Sequence, residues 1–212
     1  PQDPIVKEPS SRPASPLPDR FKIITWNCRT LFGSTQGSSE QAKRVRATHL
    51  MLKKMTATAD IILLQESHGS EADLSSLRRQ FLDFVFRGSF CDTHVSGGLV
   101  FAIRKQFLEK YGDPVLLAKV LRVRQVVPGR IAYITLPAVM GLTRLAVFNV
   151  HIDPGIQSSD PSHSNAKARM LYQLFGAVPT KTTTHSILAG DWNIVEADDP
   201  RFHPLDNKFV PD

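Results

Sequence analysis

Short runs of apolar residues, each closed by a polar side chain, recur four times in this chain, and this pattern constrains the fold more than any other feature. The closing residues are Asn27, Glu66, His151 and Asp191, with Asn193 two positions later. Each run has the length and composition of a buried β-strand. In α/β sheets, ligands bind at the carboxyl ends of strands. Strands that share a direction would place these side chains on one rim; the alternative is that each is an ordinary polar turn.

The chemistry of these strand ends indicates a site for a divalent cation. Glu66 and Asp191 supply carboxylates and Asn27 supplies an amide, and oxygen ligands of this kind suit a hard cation such as Mg²⁺, with Mn²⁺ as a substitute. An Asp and a His beside such a cation are suited to orienting water and transferring protons. For Glu66, an ion pair with an arginine is the competing interpretation.

Helical periodicity separates the apolar runs. Residues 40–55 and 164–176 carry apolar side chains at helical spacing and are predicted to be helices. Strands are predicted near 115–127 and 130–136, on either side of the turn dipeptide Pro128-Gly129. The alternation of strands and helices predicts an α/β sandwich in which two sheets are covered by helices.

Positive charge is concentrated in one part of the chain. The net charge is +6, and residues 104–144 contain eight Lys or Arg side chains against two acidic ones, which accounts for the whole excess. Such a segment favours a polyanionic partner. Arg122 and Arg124 are separated by one residue and are predicted to share one face of a strand. The alternative is an exposed strand face that only aids solubility.

The amino-terminal tail and the cysteines set further bounds. Residues 1–19 contain six prolines among Ser and charged residues, which predicts a disordered or extended tail, serving as a linker or as a strap on a partner. Residues 20–212 suit one globular domain. Cys28 and Cys91 lack the spacing of a disulfide or a metal site, and no secretory signal is visible, so an intracellular protein is favoured over a secreted one. No apolar run reaches membrane-spanning length.

Four motifs around the strand ends resemble those of the endonuclease/exonuclease/phosphatase superfamily. They are Trp26-Asn27, Leu64-Gln65-Glu66, Asn149-Val150-His151 and Gly190-Asp191-Trp192-Asn193. That superfamily includes apurinic/apyrimidinic endonucleases, pancreatic-type deoxyribonucleases, sphingomyelinases and inositol phosphatases. Over residues 21–203 the sequence is most similar to the endonuclease domain of LINE-type retrotransposons. The resemblance implies a four-layer α/β sandwich, with two packed β-sheets flanked by helices, and DNA as the substrate.

The resemblance also implies a role for each strand-end residue. Glu66 would bind Mg²⁺, with Asn27 near the metal and the phosphate. Asp191 would orient or deprotonate the attacking water, and Asn193 would stabilise the charge that grows on the phosphate. His151 occupies a position where many nucleic-acid-cutting relatives carry Tyr. The deoxyribonuclease and sphingomyelinase branches carry His there, as a proton donor or phosphate ligand.

Four arginines are candidates for contact with the DNA backbone. They are Arg29, Arg122, Arg124 and Arg169. Arg29 follows Asn27 closely, and Arg169 lies on the predicted helix 164–176, where relatives often present a basic residue to the substrate. For each of the two, a surface arginine is the alternative interpretation.

One expected element is missing from the sequence. The superfamily ends with an Asp-His element, usually Ser-Asp-His, and His203, in His-Pro-Leu-Asp, does not match it. The domain is therefore expected to be incomplete at its carboxyl end, with an unpaired sheet edge that a protein partner could cover. One hypothesis is a Mg²⁺-dependent DNA endonuclease of retroelement or apurinic type. A second is a catalytically inactive remnant serving as a structural or binding subunit, and a third is a sphingomyelinase- or inositol-phosphatase-like hydrolase.

Overall fold

The structure is a computed structural model. It describes residues 20–33, 39–91, 97–139, 143–152 and 161–193, together with two short strands at 202–203 and 208–209. The predicted tail at residues 1–19 lies outside the described residues. Two four-stranded sheets form the centre of the described chain.

The first sheet is built from the amino-terminal half of the chain. Its strands are β1 (Ile23–Asn27), β2 (Ile61–Gln65), β3 (Phe84–Ser89) and β4 (Leu99–Arg104). They lie in the order β1-β2-β4-β3, and the pair β1-β2 is parallel. The helix α1 (Glu40–Thr56) connects these two parallel strands. Both strands therefore end at the same edge of the sheet.

The second sheet is built from the carboxyl-terminal half. Its strands are β5 (Arg124–Val127), β6 (Ile131–Leu136), β7 (Arg144–His151) and β8 (Thr184–Asp191), in the order β5-β6-β7-β8. The pair β7-β8 is parallel and is connected through α5 (Pro161–Ala177). Within the described residues β8 lies at the end of this order, and all of its residues are partly exposed, whereas β7 is buried after its first residue. Two further strands, β9 (Phe202–His203) and β10 (Lys208–Phe209), pair with each other.

Three apolar clusters hold these layers together. Residues such as Leu63, Phe101 and Val147 pack between the two sheets. On the outer side of the first sheet, Leu52 of α1 and Leu77 of α2 (Leu74–Gln80) bury the sheet face, and Leu174 of α5 does the same for the second sheet. The order helix, sheet, sheet, helix is the predicted four-layer α/β sandwich, which the structure confirms.

One predicted strand is wrong. Residues 114–120 form a helix, α4 (Pro114–Val120), and the strand expected at 115–127 is only β5. Asp113 Oδ1 accepts hydrogen bonds from the backbone N–H groups of the first helical turn, and Pro114 occupies the first helical position, so a cap and a proline start this helix. Arg122 therefore precedes β5 and does not share a strand with Arg124.

A short helical segment precedes α4. It consists of α3 (Lys105–Leu108) and one 3₁₀ turn (Glu109–Tyr111), whose side chains Phe107 and Tyr111 close one end of the core between the sheets. None of the helices among the described residues has the length and apolar content that crossing a membrane requires.

Candidate functional site

The two parallel strand pairs place the predicted side chains at one edge of each sheet. Asn27 ends β1 beside the end of β2, and Glu66 is the next residue after β2. His151 and Asp191 end β7 and β8 as direct neighbours in the parallel register. The pairing of parallel strands explains why residues far apart in sequence reach a common edge.

Hydrogen bonds between the two sheets bring these edges together. Asn149, two residues before His151, donates from Nδ2 to the backbone oxygens of Leu64 at 3.0 Å and Val100 at 3.2 Å. Its Oδ1 accepts from Gln65 Nε2 at 2.7 Å. Both amide side chains are fully buried, so these bonds form away from water and fix the relative register of the sheets.

The amide of Asn27 joins the two carboxylates. Its Nδ2 donates to Glu66 Oε1 at 2.9 Å and to Asp191 Oδ2 at 2.8 Å. Its Oδ1 accepts from the backbone N–H of Arg29 at 3.1 Å, which keeps the nitrogen pointed at the carboxylates. In this arrangement Asn27 is a donor, and binding a metal through Oδ1 would require the amide to rotate and to lose the Arg29 bond.

His151 lies behind Glu66 and is almost completely buried. Its Nε2 is 3.2 Å from Glu66 Oε1, and its Nδ1 is 2.9 Å from Nη1 of Arg130. A guanidinium group only donates hydrogen bonds, so Nδ1 accepts and the ring carries its proton on Nε2, facing Glu66. The 3.2 Å contact does not have the geometry of a hydrogen bond, so His151 packs against Glu66 and limits where its carboxylate can lie, and Arg130 contributes the positive charge on this side of the site.

Asp191 and Asn193 are held in a turn that follows β8. The backbone N–H of Asn193 donates to Asp191 Oδ1 at 3.1 Å, and Asn193 Nδ2 donates to the backbone oxygen of Ile152 at 2.7 Å. Nζ of Lys167, on α5, lies 3.5 Å from the backbone oxygen of Asn193. The bond from Asn193 to Ile152 holds this turn against the segment after β7. Lys167 places an ammonium group beside the same turn.

Backbone strain is concentrated around the site. Arg29, Glu66 and Asn193 have φ angles of 55°, 52° and 45°, in the left-handed region that residues with a Cβ rarely occupy. For Arg29 and Glu66 this conformation costs about 1–2 kcal/mol each, whereas Asn adopts it more readily. Strain of this kind persists where the surrounding structure requires it, and it is frequent at functional sites.

Gly190 is required by the approach of the two parallel strands. Its φ is 149°, and a Cβ at this position would lie 1.9 Å from the backbone oxygen of Val150. No other residue fits there, so Gly190 allows β8 to reach β7 closely just before Asp191.

The donor set fits a hard divalent cation. Two carboxylates from different sheets lie within hydrogen-bond distance of one nitrogen, and like charges this close are stabilised by a cation between them. Glu66 is 25% exposed, so its oxygens remain accessible. Within the described ranges there is no cluster of three or more His, Cys, Asp or Glu side chains suited to a metal. Glu66 and Asp191 are the carboxylates that would hold the ion, and Mg²⁺ is commonly bound through one or two carboxylates.

The other predicted residues lie at various distances from this centre. Arg29 is exposed beside Asn27, and Arg169 is exposed on α5. Arg122 and Arg124 line a cavity at the other end of the second sheet. Cys28 is next to Asn27 in sequence, but burial raises the pKa of its thiol to about 12, so at neutral pH it is an uncharged thiol and is not suited to bind a metal.

Sequence reasoning missed four residues that shape the site. Arg130 and Lys167 reach it from a predicted turn and a predicted helix, but nothing in the local sequence says that their side chains face the site. Gln65 and Asn149 stand inside the recognised motifs but face the space between the sheets. A buried amide inside an apolar strand was the available signal, because such a group requires hydrogen-bond partners.

Comparison with known proteins places the chain in a family. A model of the endonuclease/exonuclease/phosphatase family matches residues 24–211. Among solved structures, the 3′ phosphatase NExo from Neisseria, bound to a product DNA hairpin, is 19% identical with a TM-score of 0.55, over 88% of this chain and 63% of that one. An AP endonuclease from Archaeoglobus fulgidus is 16% identical with a TM-score of 0.54, over 88% of this chain and 62% of that one.

The chain spans less than two thirds of the length of these solved structures. No curated protein matches it in sequence. The likeness to the solved structures shows a shared fold, and the family model covers most of the 212 residues. The chain therefore belongs to the endonuclease/exonuclease/phosphatase family.

Proposed function

We propose that this chain forms the catalytic core of a Mg²⁺-dependent phosphodiesterase that cleaves DNA, of the endonuclease type found in retroelements. One observation carries the proposal: Glu66 and Asp191, from different sheets, meet at a single nitrogen of Asn27. Membership of the family supports phosphoester hydrolysis as the reaction.

The proposed cation site depends on the two carboxylates. Glu66, with Asp191 beside it, would hold Mg²⁺ or Mn²⁺, and the bound ion would supply positive charge that stabilises the negative charge of the phosphate during hydrolysis. His151 positions Glu66 through the contact between Nε2 and Oε1. Its ring is held in turn by Arg130. In this proposal His151 is a positioning residue and not a proton donor to the leaving group.

Asp191 is the proposed base for the attacking water. Its two oxygens accept hydrogen bonds from Asn27 and from the backbone of Asn193, which fixes the orientation of the carboxylate. A fixed carboxylate at the carboxyl end of a strand is suited to orient a water molecule and to accept its proton.

Donors around the carboxylates are suited to the phosphate. Lys167 lies next to Asn193, and Arg29 is exposed beside Asn27. Asn193 keeps a second N–H that its bond to Ile152 does not use. Cationic and amide donors that surround a carboxylate pair can stabilise the extra negative charge of phosphate during attack.

Several observations support DNA as the substrate. The net charge of +6 favours a polyanion. Two structures with the same fold are, by their descriptions, a 3′ phosphatase bound to DNA and an AP endonuclease. The retroelement type is supported by the motif around Gly190-Asp191-Trp192-Asn193.

Nicking of supercoiled plasmid DNA tests the proposal. The protein should nick the plasmid in Mg²⁺ or Mn²⁺, and Asp191→Asn should lower the rate by about 10²–10⁴-fold. The matched control is Asp83→Asn, an exposed aspartate on the loop before β3, which should leave the rate unchanged.

A folded protein that binds DNA but nicks nothing, with either metal and at high enzyme concentration, would overturn the catalytic proposal in favour of a non-catalytic binding subunit. Hydrolysis of sphingomyelin or an inositol phosphate without nicking would keep the reaction and reassign the substrate.

A further inference from the structure

A cavity lies at the end of the second sheet opposite the candidate active site. Its volume is about 740 Å³, and it is bordered by the ends of α4 and α5 and by the first residues of β7 and β8. Arg144 begins β7 at the cavity and His151 ends β7 at the site. Seven steps along a strand, at about 3.3 Å per residue, separate the two places by about 23 Å.

Positive charge lines this cavity. Four cationic side chains from three parts of the chain border it: Arg122, Arg124, Arg144 and Lys181. Among the described lining residues none is acidic. Within the described ranges Arg124, Arg144 and Lys181 have no ion-pair partner, and all three are exposed.

The helix ends at the cavity account for only part of this charge. Cations stabilise helix carboxyl termini, but each terminus carries only about half of a negative charge, so two termini balance roughly one of the four cations. Arg122 already serves this purpose, because its Nη1 donates to the oxygen of Lys119 at 2.6 Å. Arg87 donates to the oxygens of Ala118 and Leu121.

The remaining cations, Arg124, Arg144 and Lys181, place three like charges around one cavity. A bound anion would relieve the repulsion at Arg124, Arg144 and Lys181 together.

We propose that this cavity binds the phosphate groups of a nucleotide, free or at the end of a strand, at a site separate from the candidate active site. The volume lies in the range of small-ligand pockets. Arg and Lys side chains match phosphate oxygens, and the hydroxyls of Thr135, Thr180 and Thr184 add further donors. Leu117 and Tyr133 provide an apolar wall on which a base can rest.

Calorimetric titration in EDTA tests this site without metal-dependent chemistry, so its outcome does not depend on the proposed function. The probes are inorganic pyrophosphate, deoxyadenosine diphosphate and a single-stranded oligothymidine of 12 nucleotides. The double variant Arg124→Gln/Arg144→Gln should weaken pyrophosphate binding at least about tenfold, because it removes two charged hydrogen-bond donors.

Three further variants make the test specific. Lys181→Gln, on an exposed loop, should weaken binding by a factor of about 3–10 and replaces the double variant if that one does not fold. Arg44→Gln/Lys53→Gln removes the same charge from the outer face of α1 and should change affinity less than about twofold. Asp191→Asn should not weaken binding.

Three results would overturn the proposal. They are a wild type that does not bind pyrophosphate, a double variant that binds it as tightly as the wild type does, and an α1 control that weakens binding as much as the double variant does. Binding of the diphosphate but not of the strand would support a free nucleotide as the ligand, and tight binding of the strand as well would support a strand end.

Discussion

Replacement of Asn149 by leucine tests the idea that buried amides between the sheets position the site. Leu has the same branching and the same number of side-chain heavy atoms as Asn but is larger, so the change removes hydrogen bonds without opening a cavity. Three bonds are lost: those to the backbone oxygens of Leu64 and Val100, and the one from Gln65 Nε2. Gln65 keeps its bonds to Thr25 Oγ1 and to the oxygen of Leu63, so its amide is not left without partners.

The expected loss of stability follows from these bonds. Each buried hydrogen bond contributes about 1 kcal/mol net, so Asn149→Leu should lower the free energy of unfolding by about 3 kcal/mol. For a chain of this size, 1 kcal/mol corresponds to about 2–4 °C, which gives a decrease in Tm of about 6–12 °C.

The effect on activity is a separate expectation. Loss of the inter-sheet bonds lets Glu66 and Asp191 separate, and a shift of about 1 Å lowers rates by roughly 10²-fold. Plasmid nicking should fall by about this factor at a temperature where the variant is still folded by circular dichroism. Ser186→Ala is the matched control, because the Ser186 hydroxyl, in the same sheet, makes no hydrogen bond to any described residue. Wild-type Tm and nicking in Asn149→Leu would refute the positioning role.

Three further changes test other parts of the account. Gly190→Ala should prevent folding because its Cβ would overlap a backbone oxygen of β7, whereas Gly176→Ala, which meets nothing within 4 Å, should raise stability by about 0.5–1 kcal/mol; soluble expression and Tm measure both. Burial raises the pKa of Cys28 from about 9 to about 12, so the neutral thiol stabilises the fold below pH 9 and this contribution is lost as the pH rises from 9 towards 12. In urea titrations the free energy of unfolding should fall by up to about 1.4 kcal/mol per pH unit in this range. In Cys28→Ala it should fall less steeply. Arg130→Gln and His151→Gln should each lower nicking, and the double variant should be little worse than the single ones because the two side chains act as one unit.

Much of the fold follows from local sequence pattern. The apolar runs before Asn27, Glu66, His151 and Asp191 are strands, and the helices expected at 40–55 and 164–176 are present as α1 and α5. Apolar residues that recur with the period of a helix or a strand mark the face that is buried. Long helices and strands that bury one face can therefore be predicted from sequence.

The error at α4 has a physical cause. Leu121, Arg122, Val123 and Arg124 alternate between apolar and charged residues, which suggested that a strand begins well before β5. Asp113 and Pro114, a cap and a first-turn proline, were the stronger signal, because they provide hydrogen bonds and backbone geometry that only a helix start requires.

The site was predictable in its residue types but not in its connections. Strand ends indicate which side chains reach the edge, whereas the contact between Arg130 and His151 depends on how a turn folds back over β7. The sequence predicts that Arg122 and Arg124 contact the same DNA as the site, yet both lie at the other end of the second sheet. Net charge along a sequence does not say at which end of a sheet each residue emerges.

Binding of Mn²⁺, measured by electron paramagnetic resonance, is the most direct test of whether Glu66 and Asp191 form one cation site. The wild-type protein should bind Mn²⁺ at this site. Glu66→Gln and Asp191→Asn should each weaken binding at least about tenfold, because each removes a charged oxygen from the ion's surroundings. Asp83→Asn, an exposed change of the same kind, should leave the affinity unchanged. Wild-type affinity in both site variants would contradict the account.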